Sequence, residues 1–397
     1  MLKGKTVVLG VTGGIAVYKA AEITSRFVKL GADVKVIMTE HAGKFVAPLT
    51  FQAISNNPVV TDMFASPTRW DVEHISLAKA ADLFIIAPAT ANVIGKINAG
   101  IADDMLTTTV MATKAPVLLA PAMNVNMYEN PITQRNICDL KALGYHFVDP
   151  GEGFLACGDL GKGRLEDPIK IVERGLGLIC GTDELKGKKV LVTAGPTREA
   201  LDPVRYLTNH SSGKMGYAIA KQARLRGAEV VLISGAKDLE PPFGIEVIHV
   251  NSAAEMFEAV MQHLEVDIIV KAAAVGDYRP AQASNIKIKK MPGDMAIPLT
   301  RNKDILFEIG QVKTSQYLVG FAAETNDVIE NAQKKMVKKN LDMIVANDIT
   351  AEGAGFKSNT NLVTLLHKNG GQEELALMSK EEVASKIIDA IIKDMNL

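Results

Sequence analysis

The fold of this chain is decided by residues 186–197, which read Lys186-Gly187-Lys188-Lys189-Val190-Leu191-Val192-Thr193-Ala194-Gly195-Pro196-Thr197. This stretch consists of a few basic residues, a short apolar run and a glycine-containing turn, and residues 3–14 repeat the same pattern. A bounded apolar run of this length predicts a buried parallel strand. The glycine turn lets the backbone approach a phosphate at a helix N-terminus. We therefore predict two nucleotide-handling α/β domains in tandem. Neither turn is a full G-x-G-x-x-G, so the repeat alone also fits α/β domains without a nucleotide.

The composition is that of a globular protein with substantial cores. The chain has 397 residues, 47% hydrophobic and 22% charged, a length that predicts about two or three domains. The formal net charge is -1, so bulk electrostatics gives no reason to expect a nucleic-acid or membrane partner. Small anionic ligands remain compatible with local charged sites.

The cysteines and the N-terminus indicate a cytoplasmic location. Cys138, Cys157 and Cys180 show no metal-ligand spacing and are too few for a disulfide framework, which favours free thiols in a reducing compartment. The N-terminus is charged at Lys3 and Lys5 and then enters a predicted strand, unlike a signal peptide. No apolar run reaches membrane-spanning length.

The first half alternates predicted strands with helices. The strands are Thr6–Val11, Asp33–Met38, Leu83–Ala87 and Val117–Ala120, and the first helix is Ile15–Leu30. This alternation of strands and helices predicts a parallel, doubly wound sheet. Ligands of such sheets bind beyond the carboxyl ends of the strands. Gly13, Gly14, Thr39 and residues 88–92 and 121–124 fall there.

Residues 150–167 interrupt the alternation. Five glycines between 150 and 164 disfavour a helix, so we predict a mobile loop that acts as a lid. A helix over Pro168–Leu178 follows. We place the first domain at residues 1–182, a linker at 183–188 and the second domain at 189–397.

The second half repeats the α/β pattern. We predict strands at Lys189–Thr193, Glu229–Ser234, Asp267–Lys271, Tyr317–Phe321 and Asp342–Ala346, and helices at Met215–Arg226, Ala253–Leu264, Val328–Lys339 and Lys380–Met395. The polar loop 209–216 opens onto a helix and has the composition of an anion site. Lys335 and Lys339 lie one helical turn apart, a pattern that fits either a binding site or a solvated helix surface.

These stretches resemble the bifunctional flavoproteins of coenzyme A biosynthesis, in which phosphopantothenoylcysteine decarboxylase is fused to phosphopantothenate–cysteine ligase. The resemblance covers essentially the whole chain. It rests on Gly13-Gly14-Ile15-Ala16, His74, 87–92, 121–128, 156–159, 202–209, 211–214, 277–280 and 287–290. It implies two tandem Rossmann-like domains. The first would be flavodoxin-like and FMN-binding, of the homo-oligomeric flavin cysteine decarboxylase type, and the second a ligase.

The resemblance assigns a role to each candidate of the first domain. The cysteinyl carboxylate of 4′-phosphopantothenoylcysteine has no neighbouring electron sink, so its CH₂–SH group is first oxidised to a thioaldehyde with the flavin as acceptor. His74 would act as base or orienting group, Asn124 would bind the departing carboxylate, and Cys157 would protonate the resulting enethiol. From the residues alone, His74 also fits a surface histidine and Cys157 a structural thiol. The implied FMN contacts are Gly13, Gly14, Ile15, Ala16, Thr39, Ala87, Pro88, Ala89, Thr90, Asn92 and Met123. The family often has serine where Gly14 stands.

For the second domain the resemblance implies a CTP- and Mg²⁺-dependent ligase. The carboxylate of 4′-phosphopantothenate attacks the α-phosphorus of CTP, pyrophosphate leaves, and the amine of cysteine displaces CMP from the acyl-cytidylate. Such steps depend on positioning and charge neutralisation. Asn209 matches the family's asparagine for turnover of the acyl-cytidylate, and Arg205, a further catalytic candidate, lies in the same motif. The implied nucleotide contacts are Ala273, Ala274, Val275, Asp277, Lys287, Lys303, Asp304, Ile305, Leu306, Phe321, Lys335 and Lys339. No motif fixes the metal ligands, as expected for Mg²⁺ carried on phosphates.

The expected partners are the small molecules 4′-phosphopantothenate, cysteine and CTP, with no nucleic acid and no membrane. The resemblance also implies a homo-oligomer built from trimers, a dodecamer in the fused form. Two other functions remain open: an NAD(P)-dependent Rossmann oxidoreductase, and a flavoprotein-like regulatory protein without chemistry. The presence of His74, Asn124 and Cys157, together with Asn209 and Lys287, favours the enzyme.

Overall fold

The computed structural model describes residues 2–64, 72–154, 160–289, 294–324, 327–348 and 358–397. The chain divides into two compact units, Met1–Cys180 and Gly181–Leu397. Among the described residues, no helix is both long enough and apolar enough to cross a bilayer.

The first unit is organised around a parallel sheet of six strands in the order β3-β2-β1-β4-β5-β6. These strands are β1 (Thr6–Val11), β2 (Asp33–Met38), β3 (Val59–Val60), β4 (Leu83–Ala89), β5 (Val117–Pro121) and β6 (His146–Phe147). The order is that of the Rossmann fold, in which ligands bind where the connections change direction. Here that point lies between β1 and β4. The predicted strands are confirmed.

Helices cover this sheet and begin at residues with recognisable capping chemistry. They are α1 (Val17–Lys29), α2 (Pro48–Ser55), α3 (Glu73–Ala80), α4 (Ala91–Asn98), α5 (Met105–Ala112), α6 (Val125–Glu129), α7 (Pro131–Ala142) and α8 (Pro168–Cys180). A 3₁₀ turn covers Ala42–Lys44. The Thr90 side chain caps α4, and Asp104 forms a capping box with Thr107 at α5. All seven residues of β4 are buried, as expected for a central strand covered on both faces.

The predicted loop over residues 150–167 is wrong for nine of its eighteen residues. Strands β7 (Gly151–Phe154) and β8 (Leu160–Arg164) form an antiparallel hairpin. Glycine disfavours helices but permits close backbone contact, and β8 uses this. The Met123 N–H donates to the Gly163 carbonyl at 2.9 Å, and a Cβ at Gly163 would clash with the Met123 carbonyl oxygen. Residues 155–159, including Cys157, lie outside the described part of the chain.

The second unit is organised around a larger mixed sheet. Its strands are β9 (Lys189–Ala194), β10 (Arg198–Ala200), β11 (Tyr206–Thr208), β12 (Glu229–Ser234), β13 (Glu246–His249), β14 (Ile268–Lys271), β15 (Tyr278–Pro280), β16 (Leu299–Arg301), β17 (Tyr317–Glu324), β18 (Met343–Asp348), β19 (Thr360–Asn361), β20 (Val363–His367), β21 (Gln372–Glu374) and β22 (Met378–Ser379). The eight-stranded sheet has the order β13-β12-β9-β14-β17-β18-β20-β21. The first six strands of this order are parallel, and β20 and β21 extend the sheet in antiparallel fashion.

Three short antiparallel pairs, β10–β11, β15–β16 and β19–β22, accompany this sheet. The helices are α9 (Lys214–Leu225), α10 (Ala253–Gln262), α11 (Ile305–Val312), α12 (Val328–Lys338) and α13 (Lys380–Met395). Buried side chains form a core on each face of the sheet, one against α9 and α13 and the other against α10, α11 and α12. Burial on both faces explains why these parallel strands read as continuous apolar runs.

Candidate active sites

A buried hydroxyl joins β1 and β4 at the carboxyl edge of the first sheet. Thr12 is fully buried, and its Oγ1 donates to the Pro88 carbonyl at 2.7 Å. The same oxygen accepts from the Thr90 N–H at 3.1 Å. Thr12 therefore holds together the two backbone segments in which the sequence predicts FMN contacts. It was missed as a site residue, although it directly precedes the glycine pair.

The two glycines after Thr12 have different surroundings. A Cβ at Gly13 would lie 2.9 Å from the His41 backbone carbonyl carbon, whereas a Cβ at Gly14 would meet only the Thr90 Cγ2 at 3.9 Å. The turn leads into α1, whose first turn has no side-chain cap. Uncapped N–H groups at a helix N-terminus are suited to an anion. Glycine is thus required by packing at 13, and position 14 has room for the serine common in the family.

The remaining predicted FMN residues lie at the same edge. Thr39 follows β2, and its N–H donates to the Val11 carbonyl at 3.0 Å. Ala87, Pro88 and Ala89 are buried within β4, so their backbone is the part that can meet a ligand. Ile15 is 62% exposed. The edge also includes Ala16, Thr90 and Asn92.

Asn124 lies on the turn after β5, against the hairpin. It precedes α6, and its Oδ1 accepts from the Asn126 N–H at 2.8 Å. Met123 packs against the core beneath it, and the Ala122 N–H donates to the Ala89 carbonyl at 3.1 Å. The turn that carries Asn124 is thereby fixed both to β4 and to β8.

His74 lies in the first turn of α3 and is half-buried. Because α3 leads directly into the parallel strand β4, it runs antiparallel to that strand, and its first turn faces the carboxyl edge. The described hydrogen bonds do not link His74 to the other candidate residues. Cys157 lies outside the described residues, between β7 and β8.

In the second unit, the turn after β9 is tied to the segment that follows β14. Pro196 bridges to Ala274, and the Thr197 Oγ1 accepts from the Gly276 N–H at 2.9 Å. Asn209, which is exposed, donates from Nδ2 to the Ala274 carbonyl at 2.9 Å. The structure therefore brings Asn209 and Ala273–Val275 together, as the sequence analysis requires for one site.

A second network organises the segment around Lys287. Asp202 is buried and accepts from the Arg205 guanidinium, with Nε at 3.0 Å and Nη2 at 2.5 Å. Its Oδ2 also accepts from the Ile288 N–H at 3.1 Å, while Arg205 donates to the Ile288 carbonyl at 2.9 Å. The Arg205 guanidinium is the main reason why the pKa of Asp202 lies well below its usual range. Backbone N–H groups, including that of Val204, lower this pKa further, and together they outweigh the effect of burial. Arg205 thus positions the backbone beside Lys287, and Asp202 is a site residue missed from the sequence.

Asn302 links two further groups of candidates. Its N–H donates to the Asp277 carbonyl at 2.8 Å, and its Nδ2 donates to the Gly276 carbonyl at 2.8 Å. Lys303 follows immediately, with its Nζ 4.5 Å from the centre of the Phe257 ring. The side chains of Ile305 and Leu306 belong to the core, so only their backbone is suited to contact a nucleotide. Phe321 is half-buried within β17 and packs against the core on the opposite face of the sheet.

The charged candidates converge around Lys271, the last residue of β14. Lys339 and Asp304 form an ion pair at 2.7 Å, and Asp304 also caps α11. The pKa of Lys271 is lowered to about 8, mainly by burial and next by the nearby charge of Lys339. Lys335 lowers this pKa further, whereas the carboxylates of Asp304 and Asp277 raise it. The structure therefore brings Asp277, Asp304, Lys335 and Lys339 into one electrostatic environment. Lys271 was not selected from the sequence, where it reads only as a strand residue.

The described residues contain no cluster of three or more His, Cys, Asp or Glu side chains arranged to hold a metal ion.

Comparison with known proteins identifies both units. A family model described as Flavoprotein matches residues 1–179, and a model described as DNA/pantothenate metabolism flavoprotein C-terminal domain matches residues 185–395. The coenzyme A biosynthesis bifunctional protein CoaBC of Bacillus subtilis (strain 168) is 53% identical over 98% of this chain and 97% of its own length. The chain belongs to the family of coenzyme A biosynthesis bifunctional proteins.

A second curated relative agrees with this membership. The CoaBC protein of Escherichia coli (strain K12) is 44% identical over 98% of this chain and 97% of its own length. A crystal structure of the C-terminal domain of a CoaBC protein is 46% identical and covers 54% of this chain and 99% of that chain, with a TM-score of 0.47. The family and two-domain α/β fold predicted from the sequence are confirmed, as is the prediction of a bifunctional coenzyme A biosynthesis enzyme. The flavoprotein match supports FMN as the cofactor of the first unit.

Proposed function

We propose that the chain catalyses two consecutive steps of coenzyme A biosynthesis. The second unit joins cysteine to 4′-phosphopantothenate with CTP, and the first unit converts the product, 4′-phosphopantothenoylcysteine, to 4′-phosphopantetheine. The observation that carries this proposal is the 53% identity to a bifunctional relative across 98% of the chain. The candidate residues of both halves lie at the carboxyl edges of their sheets, where α/β enzymes bind ligands.

The first unit fits FMN. The uncapped start of α1, the close approach at Gly13 and the brace of Thr12 form a backbone cradle for a phosphate. Gly13, Gly14, Ile15, Ala16, Thr39, Ala87, Pro88, Ala89, Thr90, Asn92 and Met123 would hold the cofactor. When bound, FMN supplies an acceptor and later a donor of two electrons.

The chain's own residues handle the substrate. A carboxylate accepts hydrogen bonds, so Asn124 would bind the substrate carboxylate through its donor Nδ2. A neutral amide holds a carboxylate without the permanent ion pair that would oppose loss of its charge. His74 would accept or orient the proton of the cysteinyl group. Cys157 would donate a proton to the enethiol, since an unperturbed thiol pKa of about 8.5 keeps it protonated at neutral pH.

The second unit fits a nucleoside triphosphate. Lys335 and Lys339 share the last turns of α12, and Arg205 with Asp202 fixes the backbone next to Lys287. These cations would neutralise the charge that develops on the phosphates. Asn209 would position the acyl-cytidylate, and Ala273, Ala274, Val275 and Asp277 would face the nucleoside. Lys303, Asp304, Ile305, Leu306 and Phe321 would complete the pocket. Mg²⁺ would be held mainly by the phosphates.

The domain limits, assembly and location form a further part of the proposal. We assign 1–182 to the decarboxylase, 183–188 to a linker and 189–397 to the ligase. The protein would act in the cytoplasm as a homo-oligomer built from trimers, a dodecamer in its complete form. Exposed apolar side chains on the first unit support an interface there, among them Leu49 at 69% and Phe64 at 86% exposure. Light scattering would test the assembly, and an active monomer would contradict it.

One assay tests the whole reaction sequence. The full-length protein is incubated with 4′-phosphopantothenate, cysteine, CTP and Mg²⁺, and products are followed by mass spectrometry. We expect 4′-phosphopantetheine together with CMP, pyrophosphate and carbon dioxide. Accumulation of 4′-phosphopantothenoylcysteine would confine failure to the first unit. No product, even when that intermediate is supplied, would refute both assignments.

A further inference from the structure

Thr197, which lies just beyond the end of β9, connects two segments of the proposed ligase site. It is fully buried. Its Oγ1 accepts from the Gly276 N–H at 2.9 Å, and its carbonyl oxygen accepts from the Thr208 Oγ1 at 2.7 Å. Gly276 belongs to the segment that follows β14, and Thr208 directly precedes Asn209. One buried residue therefore holds both segments, the first through its side chain and the second through its backbone.

The two segments differ in how firmly the rest of the unit holds them. After β14, the Gly276 carbonyl also accepts from the Asn302 Nδ2 at 2.8 Å. Residues 203–210 are exposed, so little packing keeps Asn209 in place. The Asn209 Nδ2 donates to the Ala274 carbonyl at 2.9 Å. Hydrogen bonds, rather than buried apolar contacts, therefore determine where Asn209 lies.

The first unit contains the same kind of contact. Thr12 directly follows β1, is fully buried and accepts from the Thr90 N–H at 3.1 Å. Thr90 follows β4, which pairs with β1 in parallel as β14 pairs with β9. In both units, a buried threonine beyond the first strand thus holds the segment that follows the neighbouring strand. The recurrence favours a role at the ligand-binding edge of the sheet.

We propose that Thr197 is a positioning residue of the ligase site, which fixes Asn209 relative to the segment 274–276. This inference rests on the proposed function, in which Asn209 positions the acyl-cytidylate. Without the Thr197 hydroxyl, the Gly276 N–H would lose its acceptor, and the turn that carries Thr197 would shift together with the exposed loop attached to it. A displacement of about 1 Å in a catalytic site lowers a rate by about a hundredfold. The acyl-cytidylate would therefore form but react slowly with cysteine.

The test separates the two chemical steps of ligation in the full-length protein. Pyrophosphate released from CTP with Mg²⁺ and 4′-phosphopantothenate, without cysteine, reports formation of the acyl-cytidylate, and product formed with cysteine reports its turnover. Thr197→Val keeps the side-chain shape without the hydroxyl, whereas Thr197→Ser keeps the hydroxyl. For the valine variant we expect turnover to fall about ten- to a hundredfold and formation to change by less than about threefold. The serine variant should restore turnover to within about threefold of the wild type.

Two further variants provide a control and a confirmation. Ser385→Ala removes a hydroxyl of α13 that accepts from the Arg226 Nη2 at 3.2 Å. Arg226 lies at the C-terminal end of α9, and α9 runs back along the sheet after β9, so this contact is at the edge opposite the site. The control should perform both steps at the wild-type rate. Thr208→Val removes the donor to the Thr197 carbonyl at an exposed position and should slow turnover as Thr197→Val does.

The outcomes distinguish this proposal from the proposed function. If the wild type releases no pyrophosphate and forms no product, the ligase function fails. If the wild type completes both steps, the role of Thr197 is refuted when Thr197→Val slows neither step or slows both equally, as a merely structural loss would. It is also refuted when Thr197→Ser is as slow as the valine variant. Thermal unfolding verifies that the valine variant is folded; if it is not, unchanged turnover in Thr208→Val would overturn the proposal.

Discussion

The carboxyl edges of the two sheets are built from different chemical groups. In the first unit, Thr12, Gly13, Thr90 and Asn124 present hydroxyl, backbone and amide groups. In the second unit, the corresponding edge carries Lys271 with the charged groups around it, and the buried Asp202 paired with the exposed Arg205. A shared strand-and-turn pattern thus leads to two kinds of site.

The difference follows the chemistry proposed for each half. A decarboxylation must let a negative charge leave the carboxylate, which a neutral amide permits. A nucleotidyl transfer accumulates charge on phosphates and needs fixed cations. The first site should therefore depend on shape, and the second on charge.

The strongest test of this separation is His74→Asn. We expect decarboxylation to fall by about 10²–10⁴-fold, the usual contribution of a general acid or base, with ligation unchanged. Each half-reaction is measured with its own substrate. Parallel loss of ligation would show that the two units do not work independently.

Asp202→Asn tests the charged site. An asparagine amide would place a donor against Arg205 and the Ile288 N–H, where the carboxylate now accepts. The segment that carries Lys287 should shift, and we expect kcat/KM for ligation to fall about a hundredfold, with decarboxylation unaffected. Asp183→Asn is the control, because Asp183 is 74% exposed in a surface ion pair. An equal effect in both variants would refute the positioning role.

Gly13→Ala tests whether the first site depends on shape. The added methyl group would crowd the His41 backbone, and overpacking of this kind costs about 1–3 kcal/mol. We expect FMN affinity to fall about tenfold, measured by flavin fluorescence and by flavin content per chain. Gly14→Ala should bind FMN within about twofold of the wild type, since position 14 has room. The reverse order of affinities would contradict the packing account.

The smallest expected effect concerns stability and pH. The pKa of Lys271 is near 8 in the folded protein and about 10.5 in the unfolded chain, so the unfolded state binds more protons between these values. The free energy of unfolding should therefore rise with pH between these two values. At lower pH, the charged form of Lys271 destabilises the folded state. Without nucleotide at pH 7, Lys271→Met should melt about 2–4 °C higher, roughly the shift per kcal/mol for a unit of this size. The difference in melting temperature between the variant and the wild type should disappear as the pH rises from about 8 to about 10.5. Equal melting temperatures at pH 7 would contradict this prediction.

Much of the fold could be predicted because the central strands are buried on both faces. β1 and β2 have the predicted limits, and β9 and β14 differ from prediction by a single residue at one end. The β7–β8 hairpin was mistaken for a loop because its glycines give no apolar alternation. β20 and β21 were also missed, since antiparallel additions at a sheet edge leave a weak local signal.

The sequence identifies candidate site residues where they belong to a recognisable motif. The structure brings Asn209 beside Ala274, and Asp304 beside Lys339. Thr12 and Lys271 matter because of partners that are distant in sequence. Thr12 meets Pro88, 76 positions away, and no local pattern encodes such a contact.

The glycines of β8 also constrain the order in which mutations can accumulate. A side chain at position 161 would lie 2.7 Å from the Val125 Cγ2, and a smaller residue at 125 would remove that obstacle. A lineage could therefore change position 161 once position 125 has changed, but not before. At position 163 the obstacle is the Met123 carbonyl oxygen, which every amino acid carries. Position 161 is thus conditionally open to drift, while position 163 is closed along every mutational path that keeps this backbone.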